Sequence, residues 1–598
     1  MENKKQAIIL SGVAIVALLA LIIGATYAYF RASGNSGSNT DINVTTYTLD
    51  LLSFEMGSDI KINADQTSFA SGKGNATGST FAKAILTANN KTNTATKNYY
   101  MYLNISNNTF TYTQNENTPE LLLTITDVSG NAITSITGLT YKTVIDGKGT
   151  SVSGFDITTK SGLLTLFDNR EITASPTKTE EWNVTVTFVN YNVNQTGNAG
   201  KSFNAKLMIQ QEEYELTLAD ICAGKTLSDC VISQYTGTQG DNALYYHNST
   251  LTNGAGDNSY RYAGGDYVLT EAGKATGATM MIGYNNSVTT ALIDFYCNGT
   301  KQYVGYASSC STSHYYLIKG DTTQYQTYNE ALNASVEKGY LTKDNVKNFV
   351  CFGSDATTCP TENLYRIIGV FNNHVKLIKY DYAKSSLLGT DGDFSQEYTS
   401  NYFSGEQGES PSSNSLYYWN NAGTNTWSAS KLNTVNLNTN FTTNIGTEWA
   451  NKIATTTWKV GGGTYANLRD AVPKTAYQYE VGSSASTTTY DAKIGLMYVS
   501  DYYYSASPSA WTLVGYNSDY TKSYASAKGE NWLYGGGWDW TISRTSDVSN
   551  YAFFVSVSGS VGNYFVYNNY GVRPSFSLLS STTYVSGSGS MSDPVRIN

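Results

Sequence analysis

The sequence predicts a multidomain, β-rich chain: an N-terminal signal or transmembrane helix, an antiparallel β-sandwich, and then an α+β C-terminal domain. Three observations carry this reading. Residues 7–30 hold no charge. Over about residues 41–213, apolar and polar side chains alternate in short runs between Asn, Gly and Ser turns, the pattern of half-buried strands. Beyond that, helical patterns interleave with strands, and eight of the nine Trp lie after residue 400. At about 150 residues per domain, the 598 residues make three or four units. The composition shifts divide them into 1–30, 31–213, 214–348 and 349–598.

MENKK, with Lys4 and Lys5, precedes the run AIILSGVAIVALLALIIGATYAYF. An apolar run of this length can cross a bilayer as a helix. Its basic start, apolar middle and small residues at Thr26 and Ala28 also make a cleavable secretory signal. Either way the lysines keep Met1 in the cytoplasm, and everything after Phe30 is extracellular or at the cell surface. GATYAYF resembles the signal peptides of camelysin/TasA-type surface proteins of Gram-positive bacteria, with Ala25 as a departure from the pattern. The resemblance implies cleavage between Ala28 and Tyr29. Left uncut, residues 7–30 are the membrane anchor.

RASGNSGSNT, residues 31–40, reads as a linker. In EWNVTVTFVN, Trp182, Val184, Val186 and Phe188 share one face; in SFNAKLMIQ, so do Phe203, Ala205, Leu207 and Ile209. Met101, Leu103 and Ile105 do the same in YYMYLNIS. Such strands pair antiparallel into a sandwich. The section resembles in outline the β-sandwich ectodomains that follow such signal peptides and form fibres or display modules. The camelysin likeness implies a metalloprotease, but the chain has no HExxH and no His before His247, so no protease activity is expected.

In ELTLADICAGKTLSDC, Thr217 is placed to cap a short helix. The six cysteines fall as local pairs: Cys222 and Cys230, Cys297 and Cys310, Cys351 and Cys359. Six cysteines allow about fifteen pairings; short loops close at low entropic cost, which favours nearest neighbours. A zinc reading is weaker, since no CxxC occurs and His247, His314 and His374 form no ligand pattern. Structural disulfides belong outside the cytoplasm. YNEALNASVEKGY predicts a helix ending at Gly339, and Thr342 is a candidate cap for a further turn.

From Phe349, LYRIIGVFNNHVKLIKY predicts a hairpin turning at Asn372-Asn373, with Ile367 near Leu377. Ser428 and Thr447 are candidate caps of short helices. Pro473 suits a first helical turn ending near Gly482, and Ser558-Gly559-Ser560 a hairpin turn. In NNYG, Gly571 is free to take a positive φ. The order YRIIGVF–NN–HVKLIKY, NTWSASKLNTVNLNTNF, IGLMYVSDY, NWLYGGGWDW, YGVRPSFSLLSS is similar to a C-terminal domain of Firmicute surface proteins. It also looks like the C-type-lectin-like fold of formylglycine-generating-type domains and of retroelement-diversified receptors, which implies a lectin-like fold here. The interspersed Tyr, Asn, Ser and Phe of 551–570 are similar to the diversified strand of those receptors.

Charged residues make up 14% and net charge is -9, which excludes a nucleic-acid polyanion as the expected partner. The 49 Tyr are either strand filler or amphipathic contact surface; contact is favoured only toward the C-terminus. A sugar needs an aromatic plate under its apolar ring face and amides or carboxylates for its hydroxyls. Asn531, Trp532, Tyr534, Trp538, Asp539, Trp540, Asn568, Asn569 and Tyr570 supply both and are the candidate ligand-binding residues. The plainer alternative for each Trp is core packing. Arg573 sits in an apolar strand, which predicts a buried pair with Asp539 ahead of a ligand contact.

No GxSxG, P-loop or dinucleotide fingerprint occurs. The last cysteine is Cys359, too early for formylglycine-type catalysis. DGDFSQE, with Asp391, Asp393, Ser395 and Glu397, alternates oxygens like a calcium loop. It has Tyr402 at the twelfth position, and so reads as a solvated loop. No catalytic residue, cofactor or metal is expected. The predicted role is binding or adhesion at a glycan or at a host or neighbouring-cell surface. A structural fibre subunit assembling through the sandwich is the alternative. A glycan-active hydrolase is the third reading, because paired carboxylates need no motif.

Overall fold

The computed structural model describes residues 50–598 apart from 65–72, 90–92, 215, 283–289, 303–309, 311–312, 344, 399–413 and 520–521. The signal or anchor segment, the Ala28–Tyr29 bond and the linker lie outside the described residues. Among the described residues, no helix is long and apolar enough to cross a membrane. The chain is β-rich and divides into two compact units, the first ending at Leu216 and the second running Thr217–Asn598.

Among the described residues the first unit holds ten strands: β1 (Leu51–Met56), β2 (Ile60–Asn63), β3 (Ala76–Thr87), β4 (Ala95–Asn108), β5 (Leu121–Asp127), β6 (Tyr141–Ile145), β7 (Ser151–Asp156), β8 (Gly162–Ala174), β9 (Thr177–Phe188) and β10 (Ser202–Gln210). They form a six-stranded sheet, β1-β3-β9-β5-β7-β6, and a four-stranded sheet, β2-β10-β4-β8. The described pairings are antiparallel. Because side chains alternate with period two, the faces predicted on β4, β9 and β10 all turn into one core shared by the two sheets. The single Trp of this unit, Trp182, donates to the Tyr99 hydroxyl at 2.9 Å, and Tyr99 donates to Glu180 at 2.7 Å. The Glu180 carboxylate also holds Arg170 at 2.9 Å. The buried polar atoms are thereby satisfied without interrupting the apolar layer.

In the second unit the cysteines pair as nearest neighbours, Cys222–Cys230, Cys297–Cys310 and Cys351–Cys359. Its largest sheet runs in the order Leu244–Tyr246, Tyr260–Tyr262, Leu364–Phe371, His374–Lys379, Ser575–Ser577, Ile494–Gly495, with Phe349–Cys351 added beside Leu364–Phe371. This sheet draws strands from both 214–348 and 349–598, and one hydrophobic core spans them. Strands and a helix between Ala278 and Leu341 enclose a smaller core of their own. The hairpin turns at Asn372 and Asn373, whose φ values of 48° and 62° are those of a primed turn, and Ile367 faces Leu377. Thr217 and Asp220 form a capping box, as do Thr327 and Glu330 at the helix Tyr328–Glu337; Gly339 follows with φ 71°.

Several local expectations are corrected. Among the described residues Thr342 caps no helix: Leu341–Thr342 pairs as a short strand with Val268–Leu269, because Leu341 is drawn into the smaller core. Ser428 lies inside the turn Trp427–Ala429. The helix Leu432–Phe441 is wound in the wider π form, and its first N–H is capped from afar, Leu432 N donating to the Asp393 carboxylate at 2.8 Å. Asp393 is therefore buried and Phe394–Tyr398 is a strand, so DGDFSQE is solvated only in part, at Asp391, Gln396 and Glu397. Thr447 is the first residue of its helix and Gly446 the cap. Gly571 does not adopt a positive φ; a Cβ there would lie 2.2 Å from the Tyr382 ring, so the position requires Gly for close approach.

Candidate functional site

Three antiparallel strands, Asp539–Arg544, Tyr551–Val555 and Val561–Phe565, position the candidate residues. Arg573 anchors the first, its guanidinium meeting Asp539 Oδ2 at 2.5 Å and donating to Leu533 O at 2.7 Å. Both partners are buried. Burial pushes the Asp539 carboxyl up to about 6, against the opposing pull of Arg573.

Around that pair, Asn531, Trp532, Tyr534, Asp539 and Trp540 are all buried. Asn531 Nδ2 donates to Tyr502 O and its Oδ1 accepts Leu533 N. Trp532 Nε1 donates to Tyr262 O at 2.9 Å, with the Arg366 guanidinium 4.7 Å over its ring. Tyr534 donates to Val557 O, and Trp540 Nε1 donates to Tyr417 O at 2.9 Å. Each of these polar atoms is satisfied inside the unit. Trp538 is half-buried and stacks on Tyr570, centroids 5.3 Å apart, with Phe554 beside both. Tyr570 is itself buried, its hydroxyl accepting from Asn568 Nδ2, while Asn569 Nδ2 reaches Ser395 Oγ. Of the nine predicted residues, Trp538, Asn568 and Asn569 retain partial exposure.

The rings that face solvent stand on the hairpin itself. Tyr551 opposes Phe565 across the strands, centroids 4.6 Å apart. Phe565 stacks on Tyr567 at 4.9 Å, and Tyr564 lies 5.4 Å from Phe565. Tyr564 and Tyr567 are 44% and 43% exposed. On the other side, Tyr465 stacks on Tyr551 at 6.5 Å. Tyr465 opens the short helix Tyr465–Leu468, held by the Thr464–Asn467 capping box, which sets Tyr465 and Arg469 on one face. The Arg469 guanidinium lies 5.1 Å over Tyr465 and 4.7 Å over Tyr516, and donates to Asn563 Oδ1 at 3.1 Å. Tyr516 is 46% exposed. Backbone bonds Tyr516 N to Arg469 O and Val561 N to Gly515 O lock these pieces together.

The result is a continuous strip, Tyr567–Phe565–Tyr551–Tyr465–Arg469–Tyr516, with Tyr564 and Asn563 alongside. Ring faces, one guanidinium and one amide are the groups that stack on an apolar ring and hydrogen-bond its substituents. Partial burial raises the Tyr465 hydroxyl, which stays a neutral donor and acceptor. The interspersed pattern of 551–570 signals the hairpin half of the strip; Tyr465, Arg469 and Tyr516 have no local signal, because only the fold brings them there. Comparison of the chain with protein-family models finds no matching family, and no curated protein sequence matches it.

Proposed function

We propose that the second unit is the recognition module of an extracellular or cell-surface protein, binding glycans or a host or neighbouring-cell surface without catalysing a reaction. The exposed aromatic strip carries this reading, since rigid Tyr rings give contact area at small entropic cost. Three disulfides are compatible with an extracellular location. The signal-like segment 1–30 supports export, and the motif order through YGVRPSF supports a C-type-lectin-like reading of the C-terminal region. The binding surface is the strip together with Trp538, Asn568 and Asn569, with Trp532 and Trp540 supporting it from inside.

Glycan arrays and cell-binding assays test the proposal on the wild type and on Tyr564→Ser/Tyr567→Ser. The variant is expected to bind at least about tenfold more weakly, equivalent to about 1.4 kcal/mol. Unchanged binding by the variant would refute the strip, and hydrolysis of a bound polysaccharide would move the protein to the enzyme reading.

One observation favours the fibre alternative for the first unit. Among the described residues, β1 ends the six-stranded sheet with Leu51 and Met56 64% and 46% exposed, an edge able to template pairing with another strand. Electron microscopy of the purified ectodomain tests it: filaments that Leu51→Lys abolishes support assembly, and dispersed particles reject it.

A further inference from the structure

The second unit contains a cavity of ≈350 Å³ lined by none of the strip residues. Its walls are aromatic: Phe371, Trp458, Tyr477 and Tyr498. Charges are set into them. Arg261, 2% exposed, pairs with Asp257 at 2.6 Å and lies 4.7 Å over Phe371 and 5.3 Å over Tyr477. Lys376 pairs with Asp501 at 2.5 Å and sits 4.7 Å over Tyr498. Bringing such ions out of water costs several kcal/mol each, and an apolar filling serves stability as well or better. The expense is unexplained by folding alone.

A further feature points to an occupant. Lys459 also lines the cavity. Its Nζ donates to Val481 O at 2.8 Å, and among the described residues it forms no ion pair. With the other two cations each paired, the lining carries an excess positive charge. Behind the wall, Glu480 accepts the Val499 and Ser500 N–H groups, and burial pushes its carboxyl up to about 7, so it is not a full counter-charge. The Ser500 hydroxyl, 1% exposed, belongs to the lining and stands beside the Glu480 carboxylate.

We propose that this cavity binds an acidic monosaccharide, a pyranose ring bearing one carboxylate. The volume suits one ring, being at the small end of ligand pockets. The carboxylate answers the Lys459 charge. Hydroxyls answer Asp257 and Asp501, as a simple aromatic acid would not: its carboxylate would face two others with nothing to donate. The apolar face of the ring lies against the Trp458 and Tyr498 walls.

Isothermal titration of the purified chain with glucuronic acid, galacturonic acid, glucose and benzoate tests this. Saturable binding of a uronic acid is expected, at least tenfold tighter than glucose and benzoate. Lys459 is only half-buried, so Lys459→Gln should fold; it should weaken the acid at least tenfold and leave glucose unchanged. Thr457→Glu, at the exposed rim, should weaken the acid in the same way and serves if Lys459→Gln does not fold. Tyr564→Ser/Tyr567→Ser should leave uronic-acid binding unchanged, separating this site from the strip. Absence of saturable uronic-acid binding, equal binding of glucose or benzoate, or indifference to the Lys459 and Thr457 changes would overturn the proposal.

Discussion

Arg573→Met is the perturbation whose outcome the structure specifies most fully. The guanidinium is 4% exposed and serves two acceptors, Asp539 Oδ2 at 2.5 Å and Leu533 O at 2.7 Å. Asp539 Oδ1 is buried with no hydrogen-bond partner, so Arg573 is the chief compensation for that charge. Met fills much of the volume but leaves a buried carboxylate unpaired, and breaking a buried pair in this way costs about 3–5 kcal/mol. Against a typical stability of about 5–15 kcal/mol, the variant should fold but unfold early. Urea denaturation followed by Trp fluorescence reports this directly, since Trp538 and Trp540 flank Asp539 in the chain and Trp532 precedes Leu533, whose carbonyl Arg573 holds. The double variant Asp539→Asn/Arg573→Met removes the stranded charge and should recover at least about 2 kcal/mol of the loss. A single-variant cost under about 1 kcal/mol, or a double variant no better than the sum of the singles, would refute the argument that this pair holds the strand beneath the site.

Other outcomes follow from particular side chains. The Glu480 carboxyl titrates near 7 when folded against 4.5 when free, so the folded state holds the extra proton between these values. Stability should fall by about 3 kcal/mol as pH rises through that window, and Glu480→Gln should flatten the slope in urea titrations at stepped pH. Cys351→Ser/Cys359→Ser opens a loop with a sequence separation of 8 and should cost about 2–3 kcal/mol by loop entropy; calorimetry checks the loss, and the denatured, unreduced wild type should show no free thiol. Gly571→Ala should cost about 1–3 kcal/mol through overpacking against Tyr382, despite its ordinary φ; an unfolding midpoint equal to the wild type would show that the ring moves aside freely.

Much of the scaffold was legible because its determinants are local. Alternation in β4, β9 and β10 commits each strand to one buried face, since a one-residue slip would expose the whole apolar set. The Asn372-Asn373 turn was readable because few residues other than Gly tolerate a positive φ twice in succession. The helix through YNEALNASVEKGY was readable from its end, since Gly339 takes the positive φ of 71° that a helix C-terminus favours. The helix cap at Leu432 was not readable, because Asp393 arrives from a distant part of the chain.

What the sequence by itself determined is therefore the sandwich, the neighbouring disulfides, the hairpins and the partner of Arg573. Each rests on periodicity, short loops, or a charge stranded among apolar neighbours. Tertiary structure alone decided which aromatic rings meet water. Trp540 and Tyr564 stand in the two outer strands of one three-stranded sheet, yet one donates to Tyr417 O in the interior and the other is 44% exposed. When both faces of a strand are partly apolar, alternation does not say which face is covered. The elements packed against it do, and those are set by contacts far apart in the chain.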